Sequence, residues 1–486
     1  MNFHVISKIT GVIILMIALA MVPALLISLA MGEGGMSRAF IASILPLLVL
    51  GGVLILATKP LSTRLRMREG VFIVALCWIL ASALGALPYI FSGVIPGFID
   101  AFFESAAGFS TTGATLLADL PGIPRGLMFW RSLSHWLGGM GILVFAISIL
   151  PALGIGALNI AKAETTGPGL EKVTTRISDN AKFLYVIYFA FSVLEFLLLL
   201  LGKMNPYDAA IHMFGSMSTG GLSNYDKGIA EFNSPYIEFV VAFFCILASV
   251  SFIAYNELFH RRWREFFREP EVRAFFFILV ASIAFIGVRL RISGIGDSAA
   301  DSLRLAFLQV SAFITSSGYV STDYAAWPMV CQWILLMLLF MGGCSSSTAG
   351  GIKIVRVLVL FRLIHRNFYK RLHPRAVVAV KLGGRTVSAE NVSNITVFIL
   401  MYFVVFLGST LLLSLDGQDL GTTLSAAAAR LSNNGVGFGK IGYGGTYDIF
   451  SAPARLFLSV LMILGRLELF TVLILLTPSY WRPNRQ

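Results

Sequence analysis

Four short clusters rich in glycine and in Thr, Ser or Asn are the residues of this sequence best suited to chemistry. Their central glycines, Gly113, Gly220, Gly318 and Gly435, recur about every hundred residues along the chain. A cation stripped of its water shell must be surrounded by oxygens, which backbone carbonyls supply in ion filters. Glycine lets the backbone turn a carbonyl toward such an ion, because it adopts conformations that other residues avoid. We therefore predict that these clusters form a cation filter.

The predicted ion-binding residues occupy matching places in the four clusters. They are Thr111, Thr112, Gly113, Ser218, Thr219, Gly220, Ser316, Ser317, Gly318, Asn433, Asn434 and Gly435. A second interpretation is that small residues merely allow helices to pack closely within a membrane. A single cluster fits either interpretation, but four clusters at matching positions favour the filter.

Each cluster follows a mildly apolar segment that is too short to cross a membrane. The segments are Ile99–Ser110, Asp208–Met217, Ser302–Thr315 and Asp419–Ser432, which begin near Asp100, Asp208, Asp301 and Asp419. An acid near the start of a helix stabilises it through the helix dipole. Irregular backbone at membrane depth is tolerated only where it lines a water-filled path or is buried in protein. We expect four re-entrant half-helices, each followed by a loop, with the acids on the outer side where they concentrate cations.

The composition indicates where these half-helices lie. Of the 486 residues, 57% are hydrophobic and only 13% are charged, whereas a soluble globular protein has about 25% charged residues. This excludes a soluble enzyme and predicts a polytopic membrane protein, since a membrane helix needs about 20 apolar residues. Ten apolar runs are the predicted spans: Ile9–Met31, Ala39–Thr58, Val71–Gly93, Arg125–Gly156, Phe183–Leu201, Tyr236–Phe259, Ala274–Val288, Trp327–Leu360, Val392–Leu415 and Arg455–Leu476.

The formal net charge of +12 has a topological explanation. Lys and Arg collect in the cytoplasmic loops of membrane proteins, and roughly two-thirds of those in this chain fall on one side of the predicted spans. The segments Arg261–Arg268 and Arg362–Arg385 mark two of these loops. We therefore expect both termini in the cytoplasm and no nucleic-acid partner.

The predicted fold is an all-α integral membrane protein. Four pseudo-symmetric repeats of span, pore helix and span surround one pore, behind an N-terminal extension of two helices. The expected boundaries are 1–70 for the extension, then 71–182, 183–273, 274–389 and 390–486 for repeats one to four.

A stretch of small residues, Met341–Lys353, interrupts one predicted span. Glycine costs about 1 kcal/mol relative to alanine inside a helix, which favours a flexible intramembrane loop below the filter. The alternative is a continuous helix with a kink, which needs only one or two such residues.

Arg466 lies within the last apolar run, where a charge indicates function by default or a structural pair with Glu468. The gate residues we predict are Gly342, Gly343, Ser345, Ser346, Gly350, Gly351, Lys353 and Arg466.

Several motifs together resemble the Trk/Ktr/HKT superfamily of cation channels and transporters, and within it the TrkH family of potassium-uptake subunits. They are Phe102–Ser105, Thr111–Thr115, Trp136–Gly141, Gly342–Lys353, His373–Val377 and Gly465–Glu468. The fourth loop departs from the family, where Asn-Asn-Leu-Gly-Pro-Gly is frequent. Matched on its first glycine, this chain has Ser432–Gly437, whereas matching on the two Asn residues shifts the alignment by one.

This resemblance implies potassium uptake across a bacterial inner membrane by a multi-pass protein. It implies that the intramembrane loop blocks the pore and moves on activation, and that Arg466 points into the pore and contacts this loop. Relatives with Ser in the first loop favour sodium, so Gly113 favours potassium.

The resemblance also implies a homodimer in membrane lipid and a cytoplasmic regulator of the TrkA type. Only that partner would bind a nucleotide, ATP/ADP or NAD(H); potassium is the transported ion, and no covalently bound cofactor is expected. The alternative is a K+/H+ or K+/Na+ symporter, for which Glu195 is the candidate coupling acid.

Overall fold

The computed structural model describes residues 3–58, 67–141 and 177–482 of the chain. These residues are mostly helical, because a chain within a bilayer must satisfy its backbone hydrogen bonds internally. The second half of the predicted span Arg125–Gly156 lies outside the described residues. Among the residues described, strands are confined to a two-residue hairpin of β1 (Lys381–Leu382) and β2 (Arg385–Thr386).

The N-terminal extension consists of three helices, α1 (Phe3–Ala20), α2 (Val22–Ala30) and α3 (Gly34–Ala57). Its two long helices approach closely at Gly11 and Gly51: a Cβ on Gly51 would lie 3.0 Å from the carbonyl oxygen of Gly11. Such contacts between small residues drive association of helices in membranes.

The rest of the chain places a short helix between longer ones four times. The first repeat contains α4 (Met67–Gly85), α5 (Leu87–Ser92), α6 (Phe98–Phe109) and α7 (Arg125–Gly139). The second contains α8 (Ile177–Leu201), α9 (Pro206–Met217), α10 (Pro235–Ser249), α11 (Phe252–Phe259) and α12 (Trp263–Arg268). The third contains α13 (Pro270–Ile292), α14 (Ala299–Ile314), α15 (Met329–Met341) and α16 (Ile354–Leu372). The fourth contains α17 (Ala389–Leu413), α18 (Leu420–Leu431), α19 (Ala452–Arg466), α20 (Phe470–Leu473) and α21 (Pro478–Trp481).

The four short helices α6, α9, α14 and α18 correspond to the predicted half-helices, and we call them the pore helices. Side-chain caps set where three of them begin. Asn205, Ser298 and Asp419 accept hydrogen bonds from the backbone N–H of the residue three positions later, at 2.9, 3.1 and 2.9 Å. Such caps satisfy donors that a helix start leaves open. The bond from the Thr422 N–H also holds the pKa of the Asp419 carboxyl below its usual range, so this acid stays ionised.

Six helical segments in the described residues are long and apolar enough to cross a membrane. They are Phe3–Ala30, Gly34–Ala57, Arg68–Ser92, Phe183–Leu201, Pro270–Ile292 and Ala389–Asp416. Two helix pairs are together long and apolar enough for a span but are sharply bent: α10 with α11 by 94°, and Ala452–Arg466 with Phe470–Leu476 by 112°. The chain is therefore a multi-pass helical membrane protein, in which the predicted spans Tyr236–Phe259 and Arg455–Leu476 are each divided by a bend.

Hydrogen bonds from a distant segment explain the first bend. The N–H of Cys344 donates to the carbonyl oxygen of Ser249 at 2.9 Å, and the N–H of Phe252 donates to Ser346 at 3.0 Å. The intramembrane loop thus occupies backbone groups that a continuous helix would use itself. At the second bend, Glu468 and Leu469 have φ values of 54° and 48°, which a right-handed helix cannot contain.

We predict that Gly51→Val destabilises the protein, whereas Gly52→Val does not. A side chain on Gly51 would lie 2.7 Å from Leu15, while one on Gly52 would meet nothing within 4 Å. Overpacking of this kind costs about 1–3 kcal/mol. Thermal unfolding of both purified variants in detergent measures the difference, and equal midpoints would contradict the proposed packing of α1 on α3.

Candidate functional site

All four pore helices end in the same way. Their last capping residues are Ser110, Ser218, Thr315 and Ser432. The next residues, Thr111, Thr219, Ser316 and Asn433, have φ values of 54°, 54°, 56° and 52°. A residue other than glycine in this left-handed region is uncommon and costs free energy. Four occurrences at one position of four repeats therefore indicate a shared backbone design for the loops.

The backbone conformation of the third residue after each cap gives a different alignment of the second loop from the predicted one. This residue is Gly221 there, and it has a φ of 68°, close to the 75° of Gly113 and the 71° of Gly318. The N–H of Gly221 bonds to the carbonyl six residues before it, as do those of Gly113 and Gly318. Gly221, rather than the predicted Gly220, is therefore the equivalent of Gly113. Gly220 has a local reason to be glycine, because a Cβ there would lie 1.8 Å from Nδ1 of His135.

A bond from the second residue after the cap establishes the alignment of the fourth loop. The N–H of Asn434 donates to the carbonyl of Ala429 at 2.8 Å, as that of Thr112 donates to Ala107 at 2.9 Å. Gly435 therefore takes the place of Gly113, which is the alignment matched on the first glycine.

The first three loops follow one another with their main chains in contact. A Cβ on Gly113 would lie 2.0 Å from the carbonyl oxygen of Gly220 in the second loop. A Cβ on Gly221 would lie 1.7 Å from the carbonyl oxygen of Ser317 in the third. Only glycine permits backbones to approach so closely.

The fourth loop closes the ring. A Cβ on Gly318 would lie 3.0 Å from the backbone nitrogen of Gly435, and one on Gly435 would lie 2.8 Å from the carbonyl oxygen of Gly113. The side-chain amide of Asn433 also donates to the hydroxyl of Thr112 at 3.0 Å. The structure thus brings all the predicted filter loops together, each in contact with two neighbours, and we call this arrangement the loop ring.

A buried ion pair supports the ring between the first and second loops. Arg131 on α7 and Glu104 on pore helix α6 are 1% exposed, and their Nε and Oε1 atoms are 3.2 Å apart. Glu104 also accepts a bond from the Thr115 hydroxyl at 2.6 Å, and Arg131 donates to the carbonyl of Ser223 at 3.3 Å. Glu104 lies within the motif Phe102–Ser105, whereas Arg131 was not predicted from the sequence. Two opposite charges in neighbouring apolar segments were the available signal.

The intramembrane loop lies directly against the loop ring. Helix α15 ends at Met341 and α16 begins at Ile354, so the segment between them is a loop and not a kinked helix. The N–H of Gly350 donates to the Ser316 hydroxyl at 2.6 Å, and a Cβ on Gly350 would lie 2.0 Å from the carbonyl oxygen of Ser432. No side chain fits at this position.

Several of the predicted gate residues have backbone conformations that hold this loop. The φ values of Gly342, Ser346, Gly351 and Lys353 are 69°, 55°, 79° and 78°. A Cβ on Gly343 would lie 2.9 Å from the carbonyl oxygen of Ser249, which places the loop against α10. The Lys353 ammonium group is buried and donates to the carbonyl of Ala349 within the loop.

Glu271, at the start of α13, anchors the loop from below. Its carboxylate accepts bonds from the backbone N–H and the hydroxyl of Ser345, both at 2.6 Å, and from the N–H of Val355 at 3.2 Å. This one acid therefore ties the loop to the first turn of α16. Sequence analysis did not single it out, because it lies among charged residues that precede a span.

Arg466 joins the intramembrane loop to the first repeat. Its guanidinium group donates to the carbonyl of Thr348 at 2.7 Å, and to the carbonyls of Gly138 and Gly139 at 2.7 and 2.6 Å. The last two are carbonyls at the end of α7, where the helix dipole favours a cation. Glu468 instead contacts Arg356.

Glu195 lies behind the loop ring rather than in it. It is fully buried on α8 and is hydrogen-bonded to Ser216 of pore helix α9. Among the residues described, no cluster of three or more His, Cys, Asp or Glu side chains could hold a metal ion. The oxygens gathered at the ring are of another kind, namely main-chain carbonyls and hydroxyls.

Four re-entrant helices whose loops meet inside a bundle of apolar helices define a membrane transport protein. Comparison with known proteins identifies the family: the chain belongs to the TrkH family of cation transport proteins, whose family model matches residues 36–482. The family transports ions and is not a family of enzymes.

Relatives and a solved structure match the whole chain. The Trk system potassium uptake protein TrkH of Salmonella typhimurium is 34% identical over 485 residues, covering 99% of this chain and 100% of the relative. The Trk system potassium uptake protein TrkG of Escherichia coli is 31% identical over 484 residues, with 99% of each chain covered. The crystal structure of the potassium transporter TrkH from Vibrio parahaemolyticus matches with a TM-score of 0.89 and 32% identity, covering 99% of this chain and 100% of that one.

We predict that Arg131→Met strongly destabilises the protein and that adding Glu104→Gln reverses much of the loss. Removing one partner of a buried ion pair leaves an uncompensated charge and costs about 3–5 kcal/mol, whereas removing both charges costs far less. Thermal unfolding of the two single variants and the double variant forms the test. Additive effects of the two substitutions would contradict the role of this pair.

Proposed function

We propose that the chain takes up potassium across a bacterial inner membrane through the loop ring. The observation that carries this proposal is the closed ring of four loops, each of which leaves its helix through a left-handed residue. Filters built from carbonyl oxygens replace the water shell of an ion. The potassium-uptake function of the relatives supports the choice of ion.

The proposed filter residues follow the structural alignment of the loops. They are Thr111, Thr112 and Gly113, then Thr219, Gly220 and Gly221, then Ser316, Ser317 and Gly318, and finally Asn433, Asn434 and Gly435. Ser218 keeps the place of a helix cap, equivalent to Ser110. Potassium itself is the only ligand this proposal requires.

The intramembrane loop and Arg466 form the proposed gate. Gly350 contacts the ring at Ser316 and Ser432, which places the loop next to the filter. The positive charge of Arg466, held against Thr348, raises the barrier for a cation while the loop is in place. Opening requires the loop to leave its bonds with Arg466 and Glu271.

Regulation by a partner and dimerisation belong to the same proposal. A cytoplasmic subunit of the TrkA type, which binds ATP/ADP or NAD(H), docks on the basic inner surface of a homodimer embedded in lipid. Exposed residues of α12 and α16 supply that surface; they include Arg264, Arg268, Arg362, Lys370 and Arg371. Both termini lie on this cytoplasmic side, as the positive-inside rule requires.

A K+/H+ or K+/Na+ symporter is the second candidate, because Glu195 is a buried acid in contact with pore helix α9. Its position behind the ring favours a channel, since a coupling acid must exchange protons along the ion path.

We predict that Gly113→Ser lowers the discrimination between potassium and sodium at least several-fold. The φ of Gly113 is 75° and a Cβ would lie 2.0 Å from Gly220, so the new side chain must distort the ring. Gly93→Ser is the matched control, because Gly93 has a φ of 76° but no atom within 4 Å of a Cβ. Flux ratios and reversal potentials in liposomes measure both variants and the wild type.

An unchanged ratio for Gly113→Ser would contradict the filter assignment. A wild-type reversal potential that follows the potassium gradient alone supports the channel, whereas one that shifts with a proton or sodium gradient supports the symporter.

We predict that Arg466→Ala raises basal potassium flux in liposomes that contain no partner protein. Removing the guanidinium group breaks the bond to Thr348 in the loop and the two bonds to the end of α7, so the loop loses its link to the first repeat. It also removes a positive charge beside the proposed path. Arg291→Ala is the control, since Arg291 lies exposed in the last turn of α13. Basal flux equal to that of the wild type would refute this gate.

A further inference from the structure

A buried arginine contacts the fourth loop of the ring directly. Arg430 lies in the last turn of pore helix α18 and is 0% exposed. Its Nη2 atom donates to the carbonyl oxygen of Asn434 at 2.5 Å and to that of Gly435 at 2.9 Å. Both carbonyls belong to the proposed filter, so a fixed cation already occupies oxygens of the kind that would bind the transported one.

Acidic side chains do not neutralise this charge. In the parts of the chain that the structure describes, the ion pairs do not include Arg430. The Tyr447 ring lies beside it, with its centroid 4.2 Å from the guanidinium carbon. A buried charge is costly unless it is hydrogen-bonded, so the two loop carbonyls provide the main compensation. Arg131 differs, because it is paired with Glu104.

The other three loops have no cation at this place. The residues two positions before the helix cap, as Arg430 is, are Gly108, Ser216 and Phe313. Gly108 adjoins Ser134, Ser216 bonds to Glu195, and Phe313 packs against Tyr324. The four repeats therefore share their loop backbone but differ in charge behind the fourth loop.

We propose that Arg430 determines how tightly the ring binds potassium. Its guanidinium group acts as a fixed cation that is hydrogen-bonded to the carbonyls of Asn434 and Gly435. An oxygen that accepts a bond from a guanidinium group attracts a second cation less, because the two positive charges repel each other. The fourth loop therefore contributes less to ion binding than the other three. Conduction requires binding that is weak enough for the ion to leave, and Arg430 supplies that weakness. This inference rests on the proposed filter function.

Three substitutions at this position separate its charge from its hydrogen bonds. Arg430→Gln removes the charge but keeps an amide donor, Arg430→Met removes both, and Arg430→Lys keeps the charge with fewer donors. The first readout is the potassium concentration for half-maximal occupancy of the purified protein in detergent. It is fitted from the rise of the thermal unfolding temperature with potassium concentration, which depends on the ratio of that concentration to Kd. Potassium-dependent flux in liposomes gives the concentration for half-maximal transport. Comparison of Arg430→Gln with Arg430→Lys isolates the charge, because both side chains keep a hydrogen-bond donor at this position.

Arg430→Gln is expected to lower both half-maximal concentrations about tenfold, since it removes the positive charge that repels potassium from the Asn434 and Gly435 carbonyls. Arg430→Lys is expected to stay near the wild type. If Arg430→Met unfolds during purification, the Gln and Lys variants still decide the question. Unchanged or raised half-maximal concentrations in Arg430→Gln would overturn the inference.

The same measurements distinguish failure of this inference from failure of the proposed function. The filter itself would be refuted if potassium did not stabilise the wild-type protein and the protein did not transport potassium in preference to sodium. A potassium-selective wild type with unaltered Arg430→Gln would refute the role of Arg430 alone.

Discussion

Every backbone polar group within a bilayer needs a partner inside the protein, and the four loops at the centre of this molecule depend on that constraint. Each loop leaves its pore helix through a left-handed residue and bonds its next N–H groups back to the helix it has just left. These N–H groups of the irregular backbone thereby find partners within the protein. The surrounding helices are then free to be almost wholly apolar.

The four repeats are alike in backbone and unlike in side chains. Glu104 and Arg131 stabilise the first two loops with a complete ion pair, whereas Arg430 relies on the carbonyls of its own loop. The backbone likeness lets four loops close one ring, because each glycine meets the main chain of a neighbour. The differences lie behind the ring, where a side chain can change the potential at the loops without altering their shape.

The half-helices, the loops and the interrupting segment were predictable from sequence because their signals are local. Small residues after a short apolar segment are visible in a single window, and so is a run of Gly and Ser inside a span. The equivalence of Gly221 and Gly113 was not predictable, since two adjacent glycines satisfy the same pattern and only the hydrogen bonds distinguish them. The bend after α10 was also hidden, because its cause lies about a hundred residues away in the bonds of Cys344 and Ser346. Arg131 and Glu271 find their partners only in three dimensions.

The bond between Gly350 and the Ser316 hydroxyl joins the intramembrane loop to the third loop of the ring. If the loop is the gate, its departure must leave the Ser316 hydroxyl with another partner. Movement of the loop and binding of an ion at the ring are then energetically coupled. The coupling free energy is reciprocal: if an ion in the ring stabilises one position of the loop, that loop position raises the affinity of the ring for the ion by the same factor. External potassium would therefore act on the gate as an effector as well as a cargo, with no sensor beyond the ring itself.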